Sequence, residues 1–286
     1  WRLDEGSGGN GDTVADTGTE TASNGTLGPA GNAPNWSNGT LNLDGDLTVA
    51  ANGTLSAPRG NLEIGAEFHN FVSGSTFTHN NGTYVQNKSG GTSRFNNSNS
   101  GNTSVTFYNY TINGNTSKFY TGCTFENALT VTSGTAGFMC DSAGSAANAT
   151  WTLGTTSNQA TFSIASGQGG RFQKNRNAES GEYTGTLQGA SSLYPAIISG
   201  AGTFDWDYQP DVSSAGQGEI QLKNVDVQFA VTTGGGGGTN RITLTGDCEF
   251  DAFTLSADDT LDVNAQRVEF SGDVTYASGS TLDADG

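Results

Sequence analysis

Positive charge is scarce in this chain. Lysine and arginine number 11 against 28 aspartates and glutamates, a net charge of −17. That balance disfavours nucleic acid and anionic membrane surfaces as partners, because both repel an acidic protein. It suits a soluble particle surface or a salty environment. Long apolar runs are also missing, so no membrane span is expected. One methionine and few leucine-rich stretches argue against helices. The three cysteines, Cys123, Cys140 and Cys248, are widely spaced with no Cys-x-x-Cys pair, a pattern that does not make a zinc site. Cys123 and Cys140 would either meet on neighbouring turns of the chain as a disulfide or remain buried free thiols. The two histidines, His69 and His79, lack a nucleophile and an orienting group in the surrounding sequence, so neither is read as catalytic. No stretch identifies a reaction, and the chain is read as a non-enzyme.

What the sequence does hold is glycine, 43 residues of 286, about twice the usual share. Fifteen Phe, eight Tyr and four Trp fall at alternating positions, which argues for order over disorder. Thr, Val, Phe and Tyr favour strands, and the Gly and Asn clusters between them favour tight turns. One phrase occurs near both ends. Residues 43–57 read like 270–284, with seven of fifteen positions identical and three more exchanging one apolar residue for another. In both copies the apolar residues alternate: Leu43, Leu47, Val49 and Phe270, Val274, Tyr276. A small-residue turn follows, then a short strand centred on Leu55 or Leu282. Period 2 buries one face of a strand, and a strand–turn–strand unit that recurs is one coil of a repeat architecture. Phe253-Thr-Leu255 and Val274-Thr-Tyr276 are offset by 21, as are Thr260-Leu-Asp262 and Thr281-Leu-Asp283, which sets the coil length.

The expected fold is all-β: a right-handed parallel β-solenoid with an N-terminal β cap, the alternative being an antiparallel β-sandwich or jelly roll. Coils of roughly 20–30 residues give on the order of ten rungs and a rod about 50 Å long. The expected divisions are strands or a cap over 1–46, an irregular β body over 47–233, a Gly-rich loop over 234–240, and regular coils over 241–286 that continue beyond the C-terminus. Both ends read as cut from a longer protein.

Trp1-Arg-Leu-Asp-Glu-Gly-Ser-Gly8, Val14-Ala-Asp16, Gly25-Thr-Leu27, Pro34-Asn-Trp36 and Leu41-Asn-Leu-Asp-Gly-Asp46 together resemble the opening of a LamG or concanavalin-like lectin domain. The resemblance covers about 46 residues, and the later strands of such a jelly roll are absent, so its sugar binding is not carried over. From Leu47 onward, phrases such as Thr76-Phe-Thr-His-Asn-Asn-Gly-Thr83 and Thr106-Phe-Tyr-Asn-Tyr-Thr-Ile112 resemble β-solenoid segments of bacterial surface proteins and phage structural proteins. That resemblance implies a structural or adhesive role on a virion or an extracellular surface, with self-association or other structural proteins as partners.

Three places carry candidate chemistry. Asp205, Trp206, Asp207 and Tyr208 offer aromatic faces and carboxylates to a glycan, and a carboxylate pair is what glycoside hydrolysis needs. Alternation puts Trp206 and Tyr208 on the face opposite Asp205 and Asp207. Asp44 and Asp46 offer oxygen ligands for a structural Ca²⁺. The Gly-Asp dipeptide recurs at Asp247 and Asp273, which favours a turn role instead. Arg171, Lys174 and Arg176 form the one basic cluster, read as a Gly- and Asn-flanked loop that contacts an acidic partner or a second copy of this chain. No other cofactor is expected. Eleven Asn-x-Ser/Thr sequons, none beyond residue 150, permit glycosylation without arguing for it.

Overall fold

The computed structural model describes residues 39–96, 103–139, 148–173, 183–209, 218–234 and 240–284, together with the short strands Thr13–Val14 and Gly25–Thr26. Among them there is no helix. Thr13–Val14 pairs antiparallel with Gly25–Thr26, and the remainder of the lectin-like opening up to Asn38 lies outside the described residues. So do positions 235–239 of the glycine-rich loop. Every other strand pairing is parallel and joins strands of adjacent coils. The chain is a parallel β-solenoid.

Each coil visits three faces in the same order. The first coil runs through Leu41–Leu43, Leu47–Val49 and Thr54–Ser56, and the last through Val268–Phe270, Val274–Tyr276 and Thr281–Asp283. On the second face a seven-stranded stack from Leu47–Val49 to Thr203–Gln209 is followed by three further strands, which makes ten levels. The phrase shared by the two ends of the sequence thus occupies the same arc of the coil: the end of the first face, the second face and the third. The offset of 21 is the strand register itself, with Phe253 opposite Val274 and Thr260 opposite Thr281.

The coils are not all alike. The sequence offset between stacked partners shortens from the pair Leu41 and Leu62 to the pair Val105 and Cys123, then lengthens to the pair Asn148 and Thr184. The longest coils exceed the expected length because they carry loops at the corners. Regular coils occur at both ends of the solenoid, not only after residue 241. One corner changes character along the rod. Val105–Asn113 and Cys123–Ser133 each turn from the third face to the first as one strand, helped by a register shift between Phe107 and Asn109. In later coils the same corner is broken, by loops closed through the Thr155–Asn158 and Ser191–Tyr194 bridges and then by Asn224, whose φ of 53° is tolerated by its short polar side chain. The two continuous strands are why the first and third faces join into one 16-stranded sheet.

Inside, alternation produces columns. On the first face Leu41, Leu62, Tyr84, Tyr110, Leu129, Phe162, Ile198, Val227, Phe250 and Phe270 stand one above another in unbroken register. All but the two end members are buried. On the second face Phe95, Phe119, Phe138 and Phe172 stack at centroid spacings of 6.0, 5.8 and 5.7 Å. Such contacts add to the free energy of burial itself. Corner side chains tie coils together. Asn96 accepts from the Phe71 N–H at 2.8 Å and donates to the Thr103 carbonyl and the Thr121 hydroxyl, both at 2.9 Å.

Candidate functional site

Outward positions of the first face carry an array of ionisable groups in the last three coils. Val225–Val227, Cys248–Phe250 and Val268–Phe270 are three apolar–acid–apolar triplets in register. Alternation turns their apolar residues inward and sets Asp226, Glu249 and Glu269 in a column on the surface. Gln228, Asp251 and Ser271 form a second column beside it, and the two flank a shallow groove of about 380 Å³ floored by Val227, Phe250 and Phe270. Like charges one coil apart, about 4.8 Å, repel one another. Arg267 offsets this: its guanidinium contacts Glu269, reaches Glu249 at 3.4 Å and Asp247 at 3.5 Å, and has its pKa raised chiefly by Glu269. Two carboxylates on adjacent coils are also the kind of groups that a glycosidase pairs. Both, however, bind one arginine on an open sheet, which makes them a surface ion-pair network.

A second polar cluster is internal. His69 is fully buried on the second face of the second coil. Its Nε2 lies 3.2 Å from the Ala66 carbonyl and 3.0 Å from the Ser93 hydroxyl, and its Nδ1 lies 2.9 Å from the Tyr84 hydroxyl. A carbonyl only accepts, so Nε2 carries the proton and Nδ1 accepts from Tyr84. Burial pushes the His69 pKa down to about 4 and the Tyr84 phenol well up. Sequence alone offers the histidines no nucleophile; the structure supplies a hydroxyl, that of Ser93, from the next coil. The pair is sealed inside the core, out of reach of an external substrate. A neighbour in the first-face column of Ile64 and Ile112 is Gln86, fully buried with both amide atoms unpartnered.

The residues singled out from sequence are placed as follows. Trp206 is fully buried, its ring 4.3 Å from that of Phe204, so it offers no face to a sugar. This corrects its reading as a glycan contact, for the reason alternation gives: Trp206 points inward and Asp205 outward. The side chains of Asp207 and Tyr208 lie outside the described residues. Arg171 is not a loop residue. It sits in the strand Gly169–Gln173 directly opposite Asp205, so one member of the basic cluster faces one member of the acidic patch. Lys174 and Arg176 lie outside the described residues. Asp46 accepts the Phe68 N–H at 3.0 Å, and Asp247 accepts the Arg267 N–H at 3.2 Å, each one coil on. Both geometries favour the corner role of the Gly-Asp dipeptides. Asp44 is exposed beside Asp46, and among the described residues no three metal-ligating side chains converge.

Cys123 and Cys248 are buried free thiols, and burial pushes the Cys248 pKa up to about 12. Cys140 lies outside the described residues. Because Trp206 belongs to the core, Trp206→Phe is expected to leave binding to any panel of polysaccharides unchanged. A glycan array run with both proteins checks this, and a selective loss in the variant would restore Trp206 as a contact residue. Comparison with protein-family models, with curated proteins and with solved structures finds no match for this chain.

Proposed function

We propose that the chain is a non-enzymatic structural rod, a stalk or spacer of a virion or of an extracellular surface that also serves adhesion. The observation that carries this reading is the first-face column, unbroken from Leu41 to Phe270 through ten coils. In a solenoid each coil is stabilised by its neighbours, so length can be set by coil number while the cross-section stays constant. The interior is filled by side chains, and the groove among the described residues is shallow and open. The outer faces carry Thr, Asn, Gln and acidic side chains, which suits a surface kept soluble by its charge. A carbohydrate-binding role has less support, since the aromatic platform it would use is buried at Trp206.

Small-angle scattering of the purified chain, with mass from light scattering, tests the proposal. Ten coils at about 4.8 Å predict a rod section of about 45–50 Å, alone or in an oligomer of such rods. Activity assays on polysaccharides in parallel are expected to show no turnover. A compact particle without a rod section, or turnover of a saccharide, would overturn the reading.

A further inference from the structure

We propose that His69 makes the second and third coils an acid-sensitive segment of the rod, whose opening becomes more frequent on mild acidification while that of the C-terminal coils does not. The hydrogen bonds around the ring are complete in its neutral form. Tyr84 donates to Nδ1, and Nε2 donates to the Ala66 carbonyl and the Ser93 hydroxyl. A second proton on Nδ1 would make the Tyr84 hydroxyl the acceptor and take away the partner of its own O–H, while Tyr84, stacked on Tyr110 with centroids 5.1 Å apart, is enclosed. Ser93 is held from the other side by register with Ser117, which meets the Tyr110 hydroxyl at 3.3 Å. The cluster therefore spans the second, third and fourth coils.

The charges around His69 do not rescue the protonated ring. Asp46, at the head of the strand below, favours protonation but accepts the Phe68 N–H. Lys88, in the corner before the strand above, opposes it. Arg94, on that strand, is paired with Glu67 at 3.0 Å. Burial outweighs these and sets the folded pKa near 4, against 6.5 in the open chain. A folded pKa below the open-state value means that stability is complete above pH 6.5 and is lost as pH falls toward 4. Because each coil contacts only its neighbours, the loss stays local. The other histidine, His79, is partly exposed and lies against Glu126 at 3.2 Å.

Hydrogen exchange read by peptide mass spectrometry tests this on the whole chain, with intrinsic rates corrected for pH. Opening constants for 61–96 are expected to rise about 20-fold between pH 7 and pH 5, while those of 241–283 change little. His69→Gln should flatten the pH dependence of 61–96. Should that variant not fold, the wild type decides: with two histidines in the chain, ring NMR resolves both, and His69 should not titrate before 61–96 lose protection. Titration of His69 near pH 6.5 in a protected segment, or an equal loss of protection in every coil, would overturn the proposal.

Discussion

Phe138→Ala is expected to cost about 3–5 kcal/mol, a large share of the stability of a domain this size. Phe138 is fully buried at the centre of the rod. Its ring meets Phe119, Trp151, Phe162, Phe172 and Phe204 at centroid distances of 5.1 to 6.2 Å. These neighbours come from strands on all three faces, so no single side chain can collapse into the space left behind. In a stacked array the loss falls on the coupling between adjacent coils. Urea unfolding should then separate into two transitions, the N-terminal and C-terminal coils melting apart. Trp151 and Trp206, both buried beside this cluster, report the middle of the rod by fluorescence. Phe270→Ala is the control. Phe270 is half-buried and contacts only Phe250 and Phe253 among described rings, so about 1 kcal/mol is expected. Equal effects of the two substitutions would mean that the central cluster does not couple the coils.

The architecture is legible in the sequence because its cause is local. Alternation is written residue by residue, and the coil length is written as an offset of 21 in the last coils, Phe253 to Val274 and Thr260 to Thr281. The same offset fails in the middle of the chain, where the corners carry loops and a residue's partner on the next coil stands much further along the sequence. That is why Arg171 and Asp205 read as separate sites although they stand opposite one another. It is also why His69 reads as lacking the Ser93 hydroxyl, which comes from the next coil. The acidic column is accessible in principle. Val225-Asp-Val227, Cys248-Glu-Phe250 and Val268-Glu-Phe270 share one apolar–acid–apolar pattern on consecutive coils, and aligning them by register exposes it. Trp206 shows the reverse case: the alternation that places it inward is a stronger signal than the likeness of an Asp-Trp-Asp-Tyr run to a sugar platform.

Glycine content is the other feature in which composition hides a division of labour, and two substitutions separate its parts. Gly200 ends a first-face strand opposite Ile164 with φ at 122°, a region that side chains avoid. A Cβ there would land on the Ile164 carbonyl oxygen, and the nearby Gly202 leaves room for the Ile164 side chain. The column that runs Ile64, Gln86, Ile112, Val131, Ile164 therefore ends in a residue that must have no side chain. Backbone strain of about 1–3 kcal/mol and overpacking of similar size combine in Gly200→Ala, giving an expected loss of about 3–5 kcal/mol. Gly45 lies in the corner before Asp46, has nothing within 4 Å of its Cβ position, and is not left-handed. Gly45→Ala should be neutral or stabilising by up to about 1 kcal/mol, through the entropy removed from the unfolded chain. Urea midpoints at unchanged m-value measure both. A Gly200→Ala midpoint within about 0.5 kcal/mol of wild type would mean that this corner relaxes freely, and that the seventh coil is not locked to the sixth through Ile164.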